Sequence, residues 1–209
     1  MNIQPIVEGH GEVSAAPVLL RRLRDVCEAY EIQINRPIRS TRSQLVREDS
    51  LKQRVRLALI QDACAAIMII FDADDDCPLR LAPTIHAWAN EESGIVPAAV
   101  VMANREYEAW FLASVESLRG VRNIRPDAQS HPNPEEPRAA KAQLEERMID
   151  GSSYSETVDQ AALTALFDMH SAYARCRSFR HLTTVFGFLV MRMGHHLSNW
   201  PPPTWQEEV

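Results

Sequence analysis

The sequence predicts an α/β fold: a mostly parallel sheet of about four strands flanked by helices, followed by a C-terminal helical extension. Short apolar runs alternate with longer segments whose apolar residues recur at helical spacing. This order is typical of a parallel sheet with right-handed crossovers. Acidic residues stand directly after two of the apolar runs. Because ligands of open α/β sheets bind beyond the carboxyl ends of the strands, a candidate site is expected there.

The first half of the chain supplies the strands and the helices between them. Strands are expected at residues 3–7, 32–38, 66–71 and 96–102. Helices are expected at residues 15–24, 51–64 and 79–92. Ser14 is the predicted N-cap of the first helix, and Pro37 puts the second strand at a sheet edge because proline cannot donate to a central ladder. Residues 39–48 are predicted to be a polar loop.

The second half is predicted to be helical. Residues 1–119 form the α/β domain, and residues 120–137, rich in proline and small polar residues, are predicted to be a loop. Residues 138–209 are then a helical extension packed on the same domain, because its helices carry apolar faces that need a partner surface. Its helices are expected at residues 138–148, 160–174 and 182–193, before an extended end at residues 199–204.

Composition and charge limit the classes of protein that this chain can represent. Its 209 residues are 45% hydrophobic and 24% charged, as in ordinary globular proteins. The longest apolar stretch, residues 63–71, is too short to span a bilayer, and the N-terminus lacks a signal-peptide pattern. A cytoplasmic protein without membrane association is therefore expected. The net charge of -6 argues against non-specific coating of nucleic acid.

Arginines are distributed unevenly along the chain. Those in the first quarter are Arg21, Arg22, Arg24, Arg36, Arg39, Arg42, Arg47, Arg54 and Arg56. Ordinary surface arginines on amphipathic helices are the commoner explanation of such a distribution. A local phosphate-binding patch is the alternative.

Two aspartates follow the third predicted strand. If the strand continues through Asp72, the side chains of Asp72 and Asp74 point to the same side and can share one Mg²⁺ or bracket two ions about 3.5 to 4 Å apart. The alternative is a solvated acidic turn before the helix that starts near Pro78. Glu8 favours the metal site, because it ends another predicted strand, where a buried carboxylate needs a partner.

Three further glutamates are ambiguous. Glu12 is expected either to interact with the dipole of the first helix or to reach a second metal ion. Glu106 and Glu108 follow the fourth predicted strand, and a helix would turn them roughly 200° apart. At most one of this pair is therefore expected to contact a metal directly.

The acidic pattern as a whole resembles a known domain. The order Glu8-Gly-x-x-Glu12, then Asp72-x-Asp74, then a strand followed by acidic residues resembles the Toprim domain of topoisomerases, bacterial primases and the overcoming-lysogenization-defect (OLD) nucleases, and residues 6–20 are most similar to the OLD form. A closer resemblance is to the bacterial Toprim-like family called domain of unknown function 4276. The segments that carry it are residues 104–113, Lys141 with Leu144, residues 157–160, and Ser178-Phe179.

The resemblance implies a fold, a cofactor and a set of site residues. It implies a Toprim-like sheet that binds Mg²⁺ or Mn²⁺ through Glu8, Asp72 and Asp74. Additional ligands or bases would be Glu12 and one of Glu106 and Glu108. Lys141 would contact a phosphate or stabilise the transition state as a cation, and its alternative interpretation is a lysine on an exposed helix face.

These expectations favour a Mg²⁺-dependent nuclease of Toprim type. In such a site the cations polarise the scissile phosphate of DNA or RNA and activate a water. By resemblance, the chain would be the effector of a bacterial antiviral defence system whose AAA- or ABC-type ATPase is a separate protein, and a homo-oligomer is compatible with the sequence. The alternative from another class is a catalytically weak Toprim scaffold that binds a partner protein or nucleic acid.

Overall fold

The computed structural model describes residues 1–206, and its centre is a parallel sheet of five strands. The strands are β1 (Asn2–Val7), β2 (Gln33–Ile34), β3 (Ile38–Arg39), β4 (Cys64–Asp72) and β5 (Ala98–Ala103). β1 pairs with β4 on one side and with both β2 and β3 on the other, and β5 pairs with β4. The predicted α/β class with a parallel sheet, flanking helices and a helical C-terminal region is confirmed.

Helices cover both faces of the sheet. Those of the first half are α1 (His10–Val26), α2 (Arg42–Leu45), α3 (Glu48–Leu59), α4 (Pro78–Ser93) and α5 (Ala109–Leu112), followed by a 3₁₀ helix at Val115–Leu118. Those of the second half are α6 (Ala140–Glu145), α7 (Glu156–Leu166), α8 (Met169–Arg175), α9 (Arg177–Arg192) and α10 (Pro203–Gln206). Among residues 1–206, no helix has the length and hydropathy needed to cross a bilayer.

The two faces of the sheet are buried in separate hydrophobic clusters. Successive side chains of a strand point to opposite faces, so Met68 and Ile70 of β4 pack with α1 and the C-terminal helices. Ile67 and Ile69 pack with α3 and α4 on the other face. A strand buried on both sides is continuously apolar, which explains why β4 stands out in the sequence.

The C-terminal region shares the core of the sheet. α7 packs against α1, and α9 packs against β5. Trp110 is fully buried, and its indole Nε1–H donates a hydrogen bond to Ser178 Oγ at 2.9 Å. Residues 120–137 contain no helix. One isolated antiparallel β-bridge joins Ile124 of this loop to Met148.

The edge of the sheet differs from the sequence prediction. The single strand expected at residues 32–38 is two short strands, β2 and β3, because Pro37 lies between them and has no N–H to donate. The polar loop expected at residues 39–48 contains α2. A capping box starts this helix: the Thr41 side chain accepts from the Gln44 amide, and the Gln44 side chain accepts from the Thr41 amide.

Three helix predictions also need correction. α1 begins at His10, with Gly9 as N-cap, and not after Ser14, so Glu12 lies in its first turn. The helix expected at residues 160–174 is two helices, because Asp168 accepts hydrogen bonds from the amides of His170 and Ser171 and starts α8. The end predicted to be extended contains α10.

Candidate functional site

The candidate site lies at the carboxyl ends of β1 and β4. From β1 the chain crosses to β2 and β3 on one side, and then to β4 on the other, so the strand order reverses between β1 and β4. Open α/β sheets bind ligands at such a switch point. The register pairs Val7 with Ile70, which puts Glu8 and Asp72 at the same edge of two neighbouring strands.

Asp72 is held inside a group of charged side chains. Its Oδ1 accepts a hydrogen bond from the Tyr107 amide at 2.9 Å, so β5 and the segment after it fix its position. Burial is the main cause that raises the pKa of Asp72. The charged groups that act on this pKa are, from strongest to weakest, Glu108, Glu12, Lys141 and Glu8. All of them except Lys141 raise it, which identifies an acidic cluster with one neighbouring ammonium group.

Glu108 is the most completely buried carboxylate of the cluster. Its Oε1 accepts hydrogen bonds from Tyr154 Oη at 2.7 Å and from Gln160 Nε2 at 3.1 Å. Burial raises the pKa of Glu108 to about 7, against the opposing effects of Lys141 and Tyr154. Its Oε2 is buried and accepts no hydrogen bond from residues 1–206. The C-terminal region therefore orients one oxygen of this carboxylate, while the other has no partner within residues 1–206.

Glu8 and Glu12 each present one buried carboxylate oxygen that has no hydrogen-bond partner in the described part of the chain. Burial raises the pKa of both residues. Glycines allow the close packing here: a Cβ atom on Gly9 would lie 2.1 Å from Glu12 Oε2, and one on Gly11 would lie 2.4 Å from Gln160 Oε1. The turn after β1 thus admits the Glu12 carboxylate and brings α1 against α7.

Lys141 is the cation of the cluster. Its Nζ pairs with Glu156 Oε1 at 2.5 Å. Burial lowers the pKa of Lys141, but the negative charges of Glu108, Glu156 and Asp72 outweigh that effect and raise it. The ammonium group therefore stays charged beside the carboxylates.

Glu106 has a different role from Glu108. Its Oε2 accepts a hydrogen bond from the backbone amide of Lys141 at 3.0 Å, in the first turn of α6. Glu106 therefore anchors the start of α6, whereas Glu108 acts directly on Asp72. The structure separates the two glutamates that the sequence left as alternatives.

Asp74 does not share the environment of Asp72. β4 ends at Asp72, and Asp74 has a left-handed φ of 49°. The extended geometry on which the expected common direction of the two side chains depends therefore does not continue to Asp74. Asp74 is exposed, and its Oδ2 lies 3.5 Å from Arg42 Nε. It remains close enough to Glu8 for its charge to raise the pKa of Glu8.

Two arginines hold the acidic turn after β4, which consists of Asp74, Asp75 and Asp76. Arg42 donates to the backbone oxygens of Asp72 and Ala73 and pairs with Asp76. Arg105 Nη1 donates to Asp74 O and to Asp75 Oδ1, both at 3.0 Å. Asp74 and Arg105 both have positive φ, a conformation that costs about 1–3 kcal/mol per residue and is concentrated at functional sites.

The carboxylate oxygens of the acidic cluster are ligands of the kind that a hard divalent cation prefers. Mg²⁺ binds carboxylate oxygens, and the unpartnered oxygens of Glu8, Glu12 and Glu108 are buried where a charge needs a partner. Within residues 1–206, however, no three His, Cys, Asp or Glu side chains already stand in an arrangement that holds a metal ion. Binding at this edge would therefore require the carboxylates to rotate toward one another.

Sequence reasoning missed several contributors to this site. Arg42 is only one member of an arginine-rich stretch, and Gln160 is only the last residue of the segment 157–160 that carries the family resemblance. Tyr154 and Glu156 had no signal of their own, because their contacts join segments far apart in the chain.

These features define an α/β protein with an acidic cluster at the switch point of a parallel sheet. The family model described as "Domain of unknown function (DUF4276)" matches residues 7–186. This match covers most of the chain, so the protein belongs to that family. No curated protein and no solved structure matches the chain.

Proposed function

We propose that the protein is a Mg²⁺-dependent nuclease of Toprim type that hydrolyses phosphodiester bonds. The observation that carries the proposal is the acidic cluster at the switch point, in which Asp72 interacts with Glu8, Glu12 and Glu108 from three other segments. The resemblance of this acidic pattern to the Toprim domains of OLD nucleases supports the same chemistry.

Glu8, Asp72 and Glu108 are the proposed ligands of Mg²⁺ or Mn²⁺, with Glu12 as an additional ligand. When bound, the cation would polarise the scissile phosphate and lower the pKa of a bound water. Asp74 would join the ligands only after its carboxylate leaves Arg42. Glu106 is not included, because its carboxylate anchors α6.

The other groups of the site would orient the reacting atoms and balance their charge. Lys141 is proposed to stabilise the negative charge that develops on the phosphate, since a preorganised ammonium group acts strongly in a buried site. Burial raises the pKa of Glu108 to about 7, and a bound cation would favour the ionised, metal-binding form of this carboxylate near neutral pH. Tyr154 and Gln160 would keep its carboxylate in position.

Cleavage assays with a matched pair of variants test the proposal. Purified protein should cleave circular DNA or single-stranded RNA with Mg²⁺ or Mn²⁺ and not with EDTA, and Asp72→Asn should abolish cleavage. Asp62→Asn is the control, because Asp62 is an exposed aspartate just before the same strand, at its opposite end. Cleavage by Asp72→Asn protein at the rate of Asp62→Asn protein would exclude the mechanism.

A catalytically weak scaffold is the second candidate. One observation favours it: Asp74, Asp75 and Asp76 of the acidic turn are already paired with Arg42 or Arg105. A scaffold would bind a partner protein or nucleic acid with unchanged affinity after Asp72→Asn. Titration calorimetry with Mn²⁺ separates the candidates, because only the nuclease requires a site whose affinity falls in that variant.

The resemblance to OLD nucleases extends the proposal to the biological setting. We propose a cytoplasmic effector of bacterial antiviral defence that works beside an AAA- or ABC-type ATPase encoded as a separate protein. Co-expression with an ATPase encoded beside it should give a complex whose cleavage depends on ATP. Cleavage that is the same with and without the ATPase would exclude this partner while leaving the nuclease itself in place.

A further inference from the structure

Three exposed arginines lie in the segment that joins β2 to α3. Residues 33–47 contain four arginines and neither aspartate nor glutamate, in a chain whose net charge is -6. Arg36, Arg39 and Arg47 are exposed, and their side chains form no ion pair or hydrogen bond with residues 1–206. The fourth, Arg42, binds the acidic turn. The segment therefore carries unneutralised positive charge.

This segment borders the acidic cluster directly. The register of β3 pairs Arg39 with Val7, the residue before Glu8, and the Ser40 amide donates to Val7 O at 2.8 Å. Arg42 donates to the backbone oxygens of Asp72 and Ala73, so α2 is fixed to the end of β4. Arg39 thus lies at the edge of the sheet at which the carboxylates meet, and Arg36 and Arg47 lie in the segments just before and just after it.

Two other basic residues near the sheet are, by contrast, neutralised by carboxylates. Arg56 pairs with Glu92, and Arg105 pairs with Asp75. Arginine is suited to phosphate because its planar guanidinium group can donate two parallel hydrogen bonds, and all but two of the 22 basic residues here are arginines. A polyanion that approaches the carboxylates needs neighbouring positive charge to offset their repulsion.

We infer that Arg36, Arg39 and Arg47 form a surface that binds the phosphate backbone of a nucleic acid strand beside the acidic cluster. The inference rests on the proposed function in one respect, namely that the bound strand is the substrate. Backbone contacts of this kind determine affinity and orientation but do not select a sequence. The strand would run along the edge formed by β2 and β3 and place one phosphate at the end of β1.

Fluorescence anisotropy with labelled nucleic acid of mixed sequence tests the surface. Duplex DNA, single-stranded DNA and single-stranded RNA are titrated in EDTA, so that no hydrolysis occurs, over a range of salt concentrations. The test variant is R39Q/R47Q. The control is R21Q/R192Q, which also removes two exposed arginines whose side chains have no partner in the described residues and which lie late in α1 and at the end of α9.

The test variant should bind at least about tenfold more weakly than the wild type near physiological salt, and its slope of log affinity against log salt should fall by about 1 for each arginine that contacts a phosphate. The control should keep the wild-type slope. R39K/R47K keeps the charge and should restore most of the affinity for duplex DNA. Circular dichroism should show the same melting temperature for all of these proteins, because the exposed side chains have no hydrogen bond or ion pair with residues 1–206 to lose.

Three results would overturn the inference: no binding by the wild-type protein, equal losses in R39Q/R47Q and the control, or competition by polyglutamate as effective as that by nucleic acid. The same variants separate this inference from the nuclease proposal. Binding that depends on the arginines without any cleavage by the wild type would sustain the surface and exclude the nuclease. Cleavage by R39Q/R47Q with unchanged affinity for nucleic acid would exclude the surface and sustain the nuclease.

Discussion

Tyr154 donates a hydrogen bond from its phenolic hydroxyl to Glu108 Oε1 at 2.7 Å. In the sequence, the two residues lie on opposite sides of the loop of residues 120–137. Glu108 precedes α5, directly after the sheet, and Tyr154 precedes α7. A second bond from Gln160 at 3.1 Å joins the same carboxylate oxygen to α7 itself. The C-terminal region therefore orients a carboxylate of the acidic cluster as well as covering the sheet.

Tyr154→Phe should weaken metal-dependent activity without unfolding the protein. The substitution removes one hydrogen bond to a charged group, worth about 1.5–3 kcal/mol, and leaves the ring in place. We expect the Mg²⁺ concentration for half-maximal cleavage to rise by about tenfold, since about 1.4 kcal/mol changes an equilibrium constant tenfold. Tyr30→Phe is the control, because Tyr30 is exposed. Equal activation by Mg²⁺ in the two variants would contradict this role of Tyr154.

Lys141→Met should lower turnover and leave metal affinity nearly unchanged. The methionine keeps the length of the side chain and removes the ammonium group beside Glu108 and Asp72. A cation that stabilises phosphate charge contributes mainly in the transition state, and removing one such group costs about 10²–10³ in rate. Kinetics and Mn²⁺ calorimetry are measured on both Lys141→Met and Lys52→Met, since Lys52 pairs with surface glutamates. A loss of Mn²⁺ binding with normal turnover would exclude the assignment.

In EDTA, the free energy of unfolding should decrease as the pH rises from about 4.5 to about 7. The pKa of Glu108 is raised from 4.5 to about 7, mainly by burial. Between these values the folded protein holds a proton that the unfolded chain has released, so each step up in pH favours unfolding. The raised pKa values of Asp72, Glu8 and Glu12 act in the same direction. Thermal denaturation at a series of pH values measures the slope.

Glu108→Gln should flatten that decrease, because the amide cannot titrate. Under the proposed function, Mg²⁺ should raise the melting temperature more at pH 7 than at pH 5, since only ionised carboxylates bind it well. Stability that increases with pH over this interval in EDTA would mean that the carboxylates are stabilised in their ionised form by groups other than a metal.

Gly11→Ala should destabilise the contact between α1 and α7. The added methyl group would lie 2.4 Å from Gln160 Oε1 and 2.8 Å from the backbone oxygen of Glu156, and overpacking of this kind costs about 1–3 kcal/mol. Urea denaturation measures the loss. Ser14→Ala, an exposed change in the same helix, is the control. Equal midpoints for the two variants would show that α7 moves away without cost.

The positions of Glu8 and Asp72 could be predicted from the sequence because each stands at the end of a mainly apolar run, and the carboxyl ends of parallel strands meet at one edge. The environment of Glu108 could not be predicted in this way. Whether Glu106 or Glu108 turns inward depends on the backbone between β5 and α5, where the Tyr107 amide binds Asp72. Neither periodicity nor spacing reports such a contact.

Two failed predictions have identifiable physical causes. The extended geometry assumed for Asp74 does not hold because Asp74 N–H bonds to Arg105 O at 3.0 Å, and this contact bends the chain as soon as β4 ends. The late start expected for α1 came from Ser14, a good N-cap residue, whereas Gly9 takes that position with Glu12 folded against it. A tertiary contact outweighs the local preference at Asp74, and close packing within the first turn of the helix does so at Gly9.

The contact between Tyr154 and Glu108 joins two parts of the chain that leave the ribosome at different times. Glu8, Asp72 and Glu108 are synthesised before Lys141, Tyr154 and Gln160, so a nascent chain carries the carboxylates before the groups that orient and balance them exist. The cluster is complete only when α7 reaches α1. Under the proposed function, the protein would therefore stay inactive until most of its chain had been synthesised.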